Sequence, residues 1–205
     1  ARVDPRATNA QTEPTAHDSY RRLLLREDPS SDALWDEARR EISPSGGILV
    51  IDDSTLEKPH AKKIDLVHWF WSGNQHRVVQ GISLVTLLWS DGDRHVPCDF
   101  RIVDPKNGLT KNDLFREMVR KAYERNIRPE LVCFDSWYSS VDNLKFLRSL
   151  DWHWLTRLKG NRKVSTDSHE LCTIRDLDIG DNGRTVAGKQ NPPKIDASGR
   201  TVLIG

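Results

Sequence analysis

Two aspartates follow short apolar runs of the kind that form buried strands. The run ILVI at 48–51 ends in Asp52, and the run LVCF at 131–134 ends in Asp135. In open α/β sheets ligands gather at the carboxyl ends of the strands, so both carboxylates are candidates for chemistry. If the two strands are neighbours, the carboxylates converge and repel each other unless a cation joins them. Mg²⁺ is commonly held by one or two carboxylates together with phosphate oxygens, so the pattern indicates metal-dependent phosphoryl transfer on nucleic acid.

The two aspartates also have a simpler interpretation. Aspartate often follows a strand because its side chain caps the turn, without any catalytic role, and spacing alone does not separate the two interpretations. Asp53 directly follows Asp52, and alternation along a strand would turn its side chain to the opposite face of the sheet. We therefore expect a supporting role or no role for Asp53, with an exchange of roles between the two neighbours left open.

A group of cations is the second feature that could do chemistry. Arg157, Lys159, Arg162 and Lys163 lie within seven residues of one another. The net charge of the chain is only +1, so this local clustering says more about nucleic acid than the total does. We call these four residues the basic turn. A solvated turn without a ligand is the alternative interpretation.

The composition is that of a soluble protein with one domain and extensions. Charged residues make up 30% and hydrophobic residues 37% of the 205 residues. No apolar run approaches the roughly 20 residues that a membrane span needs, and no signal peptide opens the sequence. Cys98 and Cys133 lie in strand-like apolar contexts, which favours buried free thiols in a reducing cytosol. The histidines between 60 and 95 match no compact zinc pattern.

The N-terminal region reads as an arm followed by helices. Residues 1–16 are rich in Thr, Pro, Arg and Asn without periodicity, which predicts a mobile arm. The pattern becomes helical from 17 to 42, with a first helix around Tyr20 and a second helix capped by Ser30 or Ser31. We favour a packing appendage for this helical segment over the remnant of a DNA-binding domain.

Apolar periodicity predicts the elements that position the two aspartates. We expect strands at 48–51, 78–89, 95–103, 131–134 and 152–158. We expect the first of these to be a central strand buried on both faces. The segment 54–77 reads as irregular, and residues 164–205 read as the start of a β-rich insertion.

Helical patterns separate the later strands. One helix opens at Thr110 or Asn112, and a second spans 140–150 with Ser139 and Asp142 as a capping pair. The order strand, strand, strand, helix, strand, helix, strand predicts an α/β fold with a mixed sheet flanked by helices.

Two aromatic groups have two interpretations each. Trp69, Phe70 and Trp71 could stack on unpaired bases, although we favour a patch that covers the core. Trp137 and Tyr138, just after Asp135, could wedge against a base or could pack under the following helix.

Five segments resemble the DDE transposases of bacterial insertion sequences, and the similarity is greatest to the cut-and-paste group of the Tn-five and Tn-ten elements. They are ILVIDDST at 48–55, VVQGISLVTLLWSDG at 78–92, VPCDFRI at 96–102, LVCFDSWYSS at 131–140 and LDWHWLTRLKGNRKV at 150–164. The resemblance covers about residues 17–164, in the family's order.

The resemblance implies an RNase H-like catalytic core with its first Asp on the first strand and its second on the fourth. By position, Asp52 and Asp135 correspond to these two residues, which implies that they are catalytic and hold Mg²⁺ or Mn²⁺. The basic turn at Arg157, Lys159, Arg162 and Lys163 would contact DNA phosphates without reading sequence.

One part of the family pattern is missing. The family needs a third acid, a Glu on a helix beyond a β-rich insertion, and nothing matches its signature before Gly205. Glu170 is too early. The sequence begins without Met and stops in a strand-like run, so we expect a fragment. Its expected parts are a flexible arm at 1–16, a helical segment at 17–45, an incomplete RNase H-like core at 46–164 and a truncated β-rich insertion at 165–205.

These observations lead to one functional expectation and two alternatives. We expect a fragment of a DDE transposase whose full-length form cleaves DNA ends and transfers strands with a divalent metal. A truncated, inactive DNA-binding remnant and another RNase H-like nuclease are the alternatives. The expected partner is the DNA at the element's ends, with a homodimer left open and no membrane. The expected location is the bacterial cytoplasm, associated with the nucleoid.

Overall fold

The computed structural model describes residues 29–73, 75–165 and 171–176, single positions at Ser19, Arg22 and Arg26, and three short strands after 183. The predicted arm at 1–16 lies outside the described residues, as do Tyr20 of the first predicted helix and Glu170. No helix in the described part of the chain is long and apolar enough to cross a membrane.

Three α-helices and eleven strands are described. The helices are α1 (Ser31–Ala38), α2 (Lys111–Glu124) and α3 (Val141–Ser149). The first six strands are β1 (Ile48–Glu57), β2 (His68–Ser72), β3 (Arg77–Ser90), β4 (His95–Ile102), β5 (Leu131–Phe134) and β6 (Trp154–Arg157). The remaining strands are β7 (Lys163–Ser165), β8 (Leu171–Thr173), β9 (Arg184–Thr185), β10 (Lys194–Ile195) and β11 (Val202–Ile204).

Seven of the strands form one mixed sheet. Its order is β11, β6, β5, β1, β3, β2, and β4 also pairs with β3. Pairs β1–β5 and β5–β6 are parallel, and the other pairs are antiparallel. The long strand β3 uses residues 77–81 to pair with β2 and residues 84–90 to pair with β4. The predicted mixed sheet flanked by helices is therefore confirmed.

The main core lies between one face of this sheet and the helices. The sheet contributes alternating buried residues, such as Leu49 and Ile51 of β1 and Val132 of β5. The apolar stripe of α2 packs on them, and Phe115 contacts the ring of Phe134 at a centroid distance of 5.1 Å. Burial of this stripe stabilises the fold, since apolar burial is worth about 25 cal/mol per Å².

The opposite face of the sheet is less covered than the sequence suggested. In β1, positions 49 and 51 are buried, whereas Ile48 and Val50 on the other face are only half-buried. The expectation of a central strand buried on both faces is therefore wrong for the second face. The strand is nevertheless central, with β5 on one side and β3 on the other.

The segment 54–77 was predicted to be irregular, and this was wrong for residues 54–57 and 68–72, whereas residues 58–67 form no helix or strand. Strand β1 continues through Glu57, pairing with β3 as far as Gly81, and His68–Ser72 forms β2. Polar residues in the second half of β1 hid the strand pattern, because that part has no buried face. The contiguous aromatic residues of β2 hid its alternation in the same way.

The starts of the helices follow from capping chemistry. Thr110 caps α2 in a capping box, in which Asp113 N donates to Thr110 Oγ1 (3.2 Å) and Thr110 N donates to Asp113 Oδ2 (2.8 Å). Ser140 caps α3 by accepting from Asn143 N (3.2 Å). The predicted pair of Ser139 with Asp142 was therefore wrong, because Ser139 is buried and its hydroxyl donates to Ser136 O.

Helix α1 packs on the rest of the fold through charged contacts. Ser30 caps it, as predicted. Asp32 forms ion pairs with Lys121 (2.6 Å) and Arg125 (2.9 Å) of the α2 region. The guanidinium of Arg125 also lies 4.8 Å from the ring centroid of Trp35. These contacts support a packing role for this helix.

Cys98 and Cys133 are free thiols, as predicted, although they differ in burial. Cys98 is fully buried, and burial raises the pKa of its thiol to about 11. Cys133 is only half-buried, contrary to the expectation, because it lies on the less covered face of the sheet.

Gly47 is expected to be the least replaceable glycine before β1. Its φ is +72°, and an added Cβ would lie 2.5 Å from Trp89 Nε1 and 2.8 Å from Ser90 O. Gly47→Ala should lower the free energy of unfolding by about 3 kcal/mol, measured by urea unfolding, since backbone strain and a clash add. Gly92→Ala is the control, because φ is +101° there with nothing within 4 Å, and should cost only about 1 kcal/mol. Equal losses for the two variants would contradict the role of the clash.

Candidate metal and nucleic-acid site

Parallel pairing of β1 with β5 brings the two predicted aspartates to one rim of the sheet. Ile51 is the register partner of Phe134, and the next residues are Asp52 and Asp135. Successive residues of paired parallel strands alternate in phase, so both carboxylates leave the sheet on the same, less covered face. Both residues are exposed.

The two carboxylates act on each other electrostatically. Partial burial raises the pKa of Asp52 above its usual value, and the nearby charges of Asp53 and Asp135 raise it further. A hydrogen bond from the backbone N–H of Asp53 opposes this rise. The site therefore has excess negative charge, which a cation would relieve.

Each of the two carboxylates has one oxygen already engaged. Asp52 Oδ1 accepts from the backbone N of Asp53 (2.8 Å), and Asp135 Oδ1 accepts from the backbone N of Trp137 (2.8 Å). In the part of the chain that the structure describes, Oδ2 of either residue accepts no protein hydrogen bond. Backbone contacts thus orient both side chains and leave one oxygen of each available for a ligand.

Asp53 points to the other face of the sheet and has different partners. It accepts a hydrogen bond from Tyr138 Oη (3.0 Å) and forms an ion pair with Lys111, the first residue of α2. Tyr138 is fully buried, and burial raises the pKa of its hydroxyl strongly, with the charge of Asp53 adding to the effect. Asp53 thus ties β1 to α2 and to the turn after β5.

A buried asparagine fixes the turn that follows Asp135. Asn143 Nδ2 donates to Tyr138 O (2.9 Å) and to Asn112 Oδ1 (2.7 Å), while its Oδ1 accepts from Arg116 (2.7 Å). The network joins α2, α3 and the turn. Val141, the first residue of α3, is exposed.

Sequence reasoning missed Asn143, Tyr138 and Lys111 as parts of the site's support. Asn143 carried a usable signal, because a polar residue four positions before the buried Leu147 on a helix must find partners. Lys111 carried none, since its ion pair joins residues far apart in the sequence. Trp137 does not pack under the helix and is exposed.

The basic turn lies beside the aspartates. Lys159 Nζ is 5.0 Å from the ring centroid of Trp137, two residues after Asp135. Arg162 is half-buried and donates to Ser139 O (2.7 Å), so it also holds the turn after β5. The other three cations of the turn are exposed, namely Arg157, Lys159 and Lys163.

The donors present suit a hard divalent cation better than zinc. Among the described residues, no group of three or more His, Cys, Asp or Glu side chains could hold a metal ion. Two carboxylates with free oxygens suit Mg²⁺ or Mn²⁺, since Mg²⁺ usually keeps several waters and takes further oxygens from a substrate phosphate.

Asp52→Asn is expected to stabilise the metal-free protein at pH 7 and to have no such effect at roughly pH 3. The folded protein holds the pKa of Asp52 above its unfolded value, so the wild type loses stability as the pH rises from the unfolded to the folded pKa. The uncharged Asn avoids this loss. Urea unfolding at both pH values measures it, with Asp93→Asn in the exposed β3–β4 turn as the control. A stability gain independent of pH would speak against charge as the cause.

Comparisons with known proteins found similar solved structures and a matching family. The similar structures include the piggyBac transposase synaptic complex with hairpin DNA and the Drosophila P element transposase strand transfer complex. The first has 16% identity and a TM-score of 0.44, covering 72% of this chain and 31% of that chain. The second has 13% identity and a TM-score of 0.37, covering 78% of this chain and 34% of that chain.

The chain thus spans about a third of the length of either transposase. Among curated proteins, none matches it. The sequence model of the DDE superfamily endonucleases matches residues 3–198, nearly the whole sequence. This chain therefore belongs to the DDE superfamily endonuclease family.

Proposed function

We propose that this chain is part of the catalytic core of a DNA transposase from a bacterial insertion sequence, of the cut-and-paste group related to the Tn-five and Tn-ten elements. The observation that carries the proposal is the pairing of β1 with β5, which sets Asp52 beside Asp135 with one free oxygen on each. Membership of the DDE superfamily endonucleases supports the reaction class.

Asp52 and Asp135 are the residues that would hold Mg²⁺ or Mn²⁺. The bound metal supplies activation of a water or a 3′-hydroxyl and stabilisation of the leaving oxygen of a phosphodiester. The backbone N–H groups of Asp53 and Trp137 keep the two carboxylates in place before any ligand arrives. Asp53 itself is engaged by Lys111 and Tyr138, so its proposed role is to position β1.

The basic turn and Trp137 are proposed to receive the DNA. Arg157, Lys159 and Lys163 are exposed and would neutralise phosphates on the strand that approaches the aspartates. Arg162 is half-buried, so its proposed contribution is to hold the turn as well as to add positive charge. Such contacts position the backbone and do not read sequence.

A second candidate function is DNA binding without cleavage. The resemblance requires a third acid, and in the described part of the chain no third acidic, His or Cys side chain joins Asp52 and Asp135 as a metal ligand. Under this alternative the chain would still bind DNA through the basic turn. A strand-transfer assay with 3′-OH ends on the 205-residue chain separates the two candidates.

The metal site is tested by measuring Mn²⁺ binding to the 205-residue chain with isothermal titration calorimetry. We expect micromolar binding that Asp52→Asn and Asp135→Asn each abolish, because either substitution removes a charged ligand. Asp93→Asn removes an exposed aspartate from the β3–β4 turn and should leave binding unchanged. Binding that survives in Asp52→Asn and disappears in Asp53→Asn would overturn the assignment of Asp52.

The basic turn is tested by the salt dependence of DNA binding. Changing Arg157, Lys159 and Lys163 to Ala together should reduce the slope of log K against log salt by about 2–3, since each phosphate contact contributes about 0.9 for duplex DNA. Fluorescence anisotropy with a labelled duplex measures this slope. Lys145→Ala, an exposed cation on α3, is the control. An unchanged slope in the triple variant would remove the basic turn from the interface.

A further inference from the structure

We propose that Trp69 and Trp71 on β2 form a stacking site for an unpaired DNA base, at a distance from the two aspartates. The inference rests on the proposed function, because the strand that it binds is the DNA held at Asp52. It adds a second contact region that no part of the proposed reaction requires.

The two indoles are exposed, although the aromatic run was expected to cover the core. Trp69 is 69% and Trp71 is 59% exposed, and only Phe70, which points to the other face, packs against the core. Val78, the register partner of Trp71, is 51% exposed. Leu56 lies on the same face and is 51% exposed. Contiguous apolar surface of this kind marks a binding site more often than scattered single residues do.

The spacing of the indoles suits a flat aromatic ligand. Residues i and i+2 of a strand project from the same face about 6.8 Å apart, which is twice the rise of 3.4 Å per residue. Stacked bases are about 3.4 Å apart, so one base has room between the two rings. Among the ring contacts of the described residues, none involves Trp69 or Trp71. Their faces are therefore available.

The charges around the indoles favour a polyanion as the occupant. Lys58, Lys62, Lys63 and Arg77 are exposed, and none of them forms an ion pair within the described part of the chain. The nearby segment of the chain also contains Glu57 and Asp65. Glu57 accepts a hydrogen bond from Gln75, and Asp65 already faces Lys106 at 3.9 Å. Exposed aromatic rings among unpaired cations are the combination with which proteins bind single-stranded nucleic acid.

The loop before β2 carries Lys58, Lys62 and Lys63 and is hydrogen-bonded to β3, the strand that pairs with β2. Gln80 is the register partner of Trp69, and its Nε2 donates to Ala61 O (3.2 Å). The backbone N of Lys58 donates to Gln80 O (2.8 Å). The loop that carries Lys62 and Lys63 is thus bound to the strand opposite Trp69. A base between the rings would have its phosphates close to these cations.

The stacking site lies on the same face of the sheet as the metal site. Asp52 is the register partner of Thr86, and Trp69 is the register partner of Gln80, six residues earlier on β3. At about 3.4 Å per residue this separation is about 20 Å. A strand with B-form spacing covers that length in about six nucleotides. The geometry therefore points to a base about six nucleotides from the phosphate at Asp52.

Binding of single-stranded DNA to the 205-residue chain tests the proposal. The probe is a labelled oligonucleotide of about 20 nucleotides, which is longer than the separation of the two sites. Fluorescence anisotropy at fixed salt measures its binding. Changing both Trp69 and Trp71 to Ala should weaken binding by at least about fivefold per indole. Changing both to Phe should restore most of the affinity, because a phenyl ring still stacks. The salt slope should stay at its wild-type value in both variants.

The control is Val141→Ala, which trims an equally exposed apolar side chain at the start of α3 and should leave the affinity unchanged. Wild-type affinity in the double Ala variant would overturn the stacking site alone, provided that binding still depends on Lys159. A wild-type chain that binds no DNA would overturn the proposed function and this inference together. If the double Ala variant instead changes a dimer to a monomer in sedimentation and binds DNA normally, the indoles bind a second copy and the proposal is wrong.

Discussion

Parallel hydrogen bonding between β1 and β5 is the constraint on which the rest of the structure depends. The pairing that sets Ile51 beside Phe134 completes the core, and one residue later it sets Asp52 beside Asp135. Two carboxylates of like charge would separate if their backbones were free to move. They cannot, because the apolar residues just before them are buried under α2. Core burial thus holds together a pair of charges that would not associate alone.

The adjacent residues Asp52 and Asp53 divide two tasks between the faces of one strand. Alternation turns Asp53 inward to Lys111 and Tyr138, where an ion pair and a hydrogen bond fix the position of β1. The same alternation turns Asp52 outward, where its carboxylate remains exposed. A fixed inner carboxylate beside an accessible outer one is what a pre-organised metal site would need, because binding of a ligand then orders few groups.

Local patterns were enough to predict the strands that carry the aspartates and the mixed sheet, and they narrowed the start of α2 to Thr110 or Asn112, of which Thr110 is the cap. These features depend on runs of a few residues, whose burial the sequence shows directly. The second half of β1 and all of β2 were missed because partners distant in the sequence, not their own alternation, make them strands. The choice between Ser139 and Ser140 as a cap depended on which of them the tertiary structure buries.

The supporting network was the least predictable part of the site. Lys111, Tyr138 and Asn143 come from three different elements, and only the assembled fold brings them together. For the aromatic run 69–71, composition allowed either a core patch or a stacking surface. Alternation on an edge strand separates Phe70, which packs against the core, from its two exposed neighbours, and the sequence alone does not show which residues face the core.

The length of β3 sets the distance between Asp52 and the indoles of β2. It is one continuous strand of 14 residues that pairs with β1 beside Asp52 and with β2 beside the indoles. Removing two residues between Gln80 and Thr86 would keep every side chain on its face and bring the two regions about 7 Å closer. Removing one residue would instead turn the indoles of β2 to the opposite face of the sheet. The distance between the two regions can therefore change in evolution only by two residues at a time.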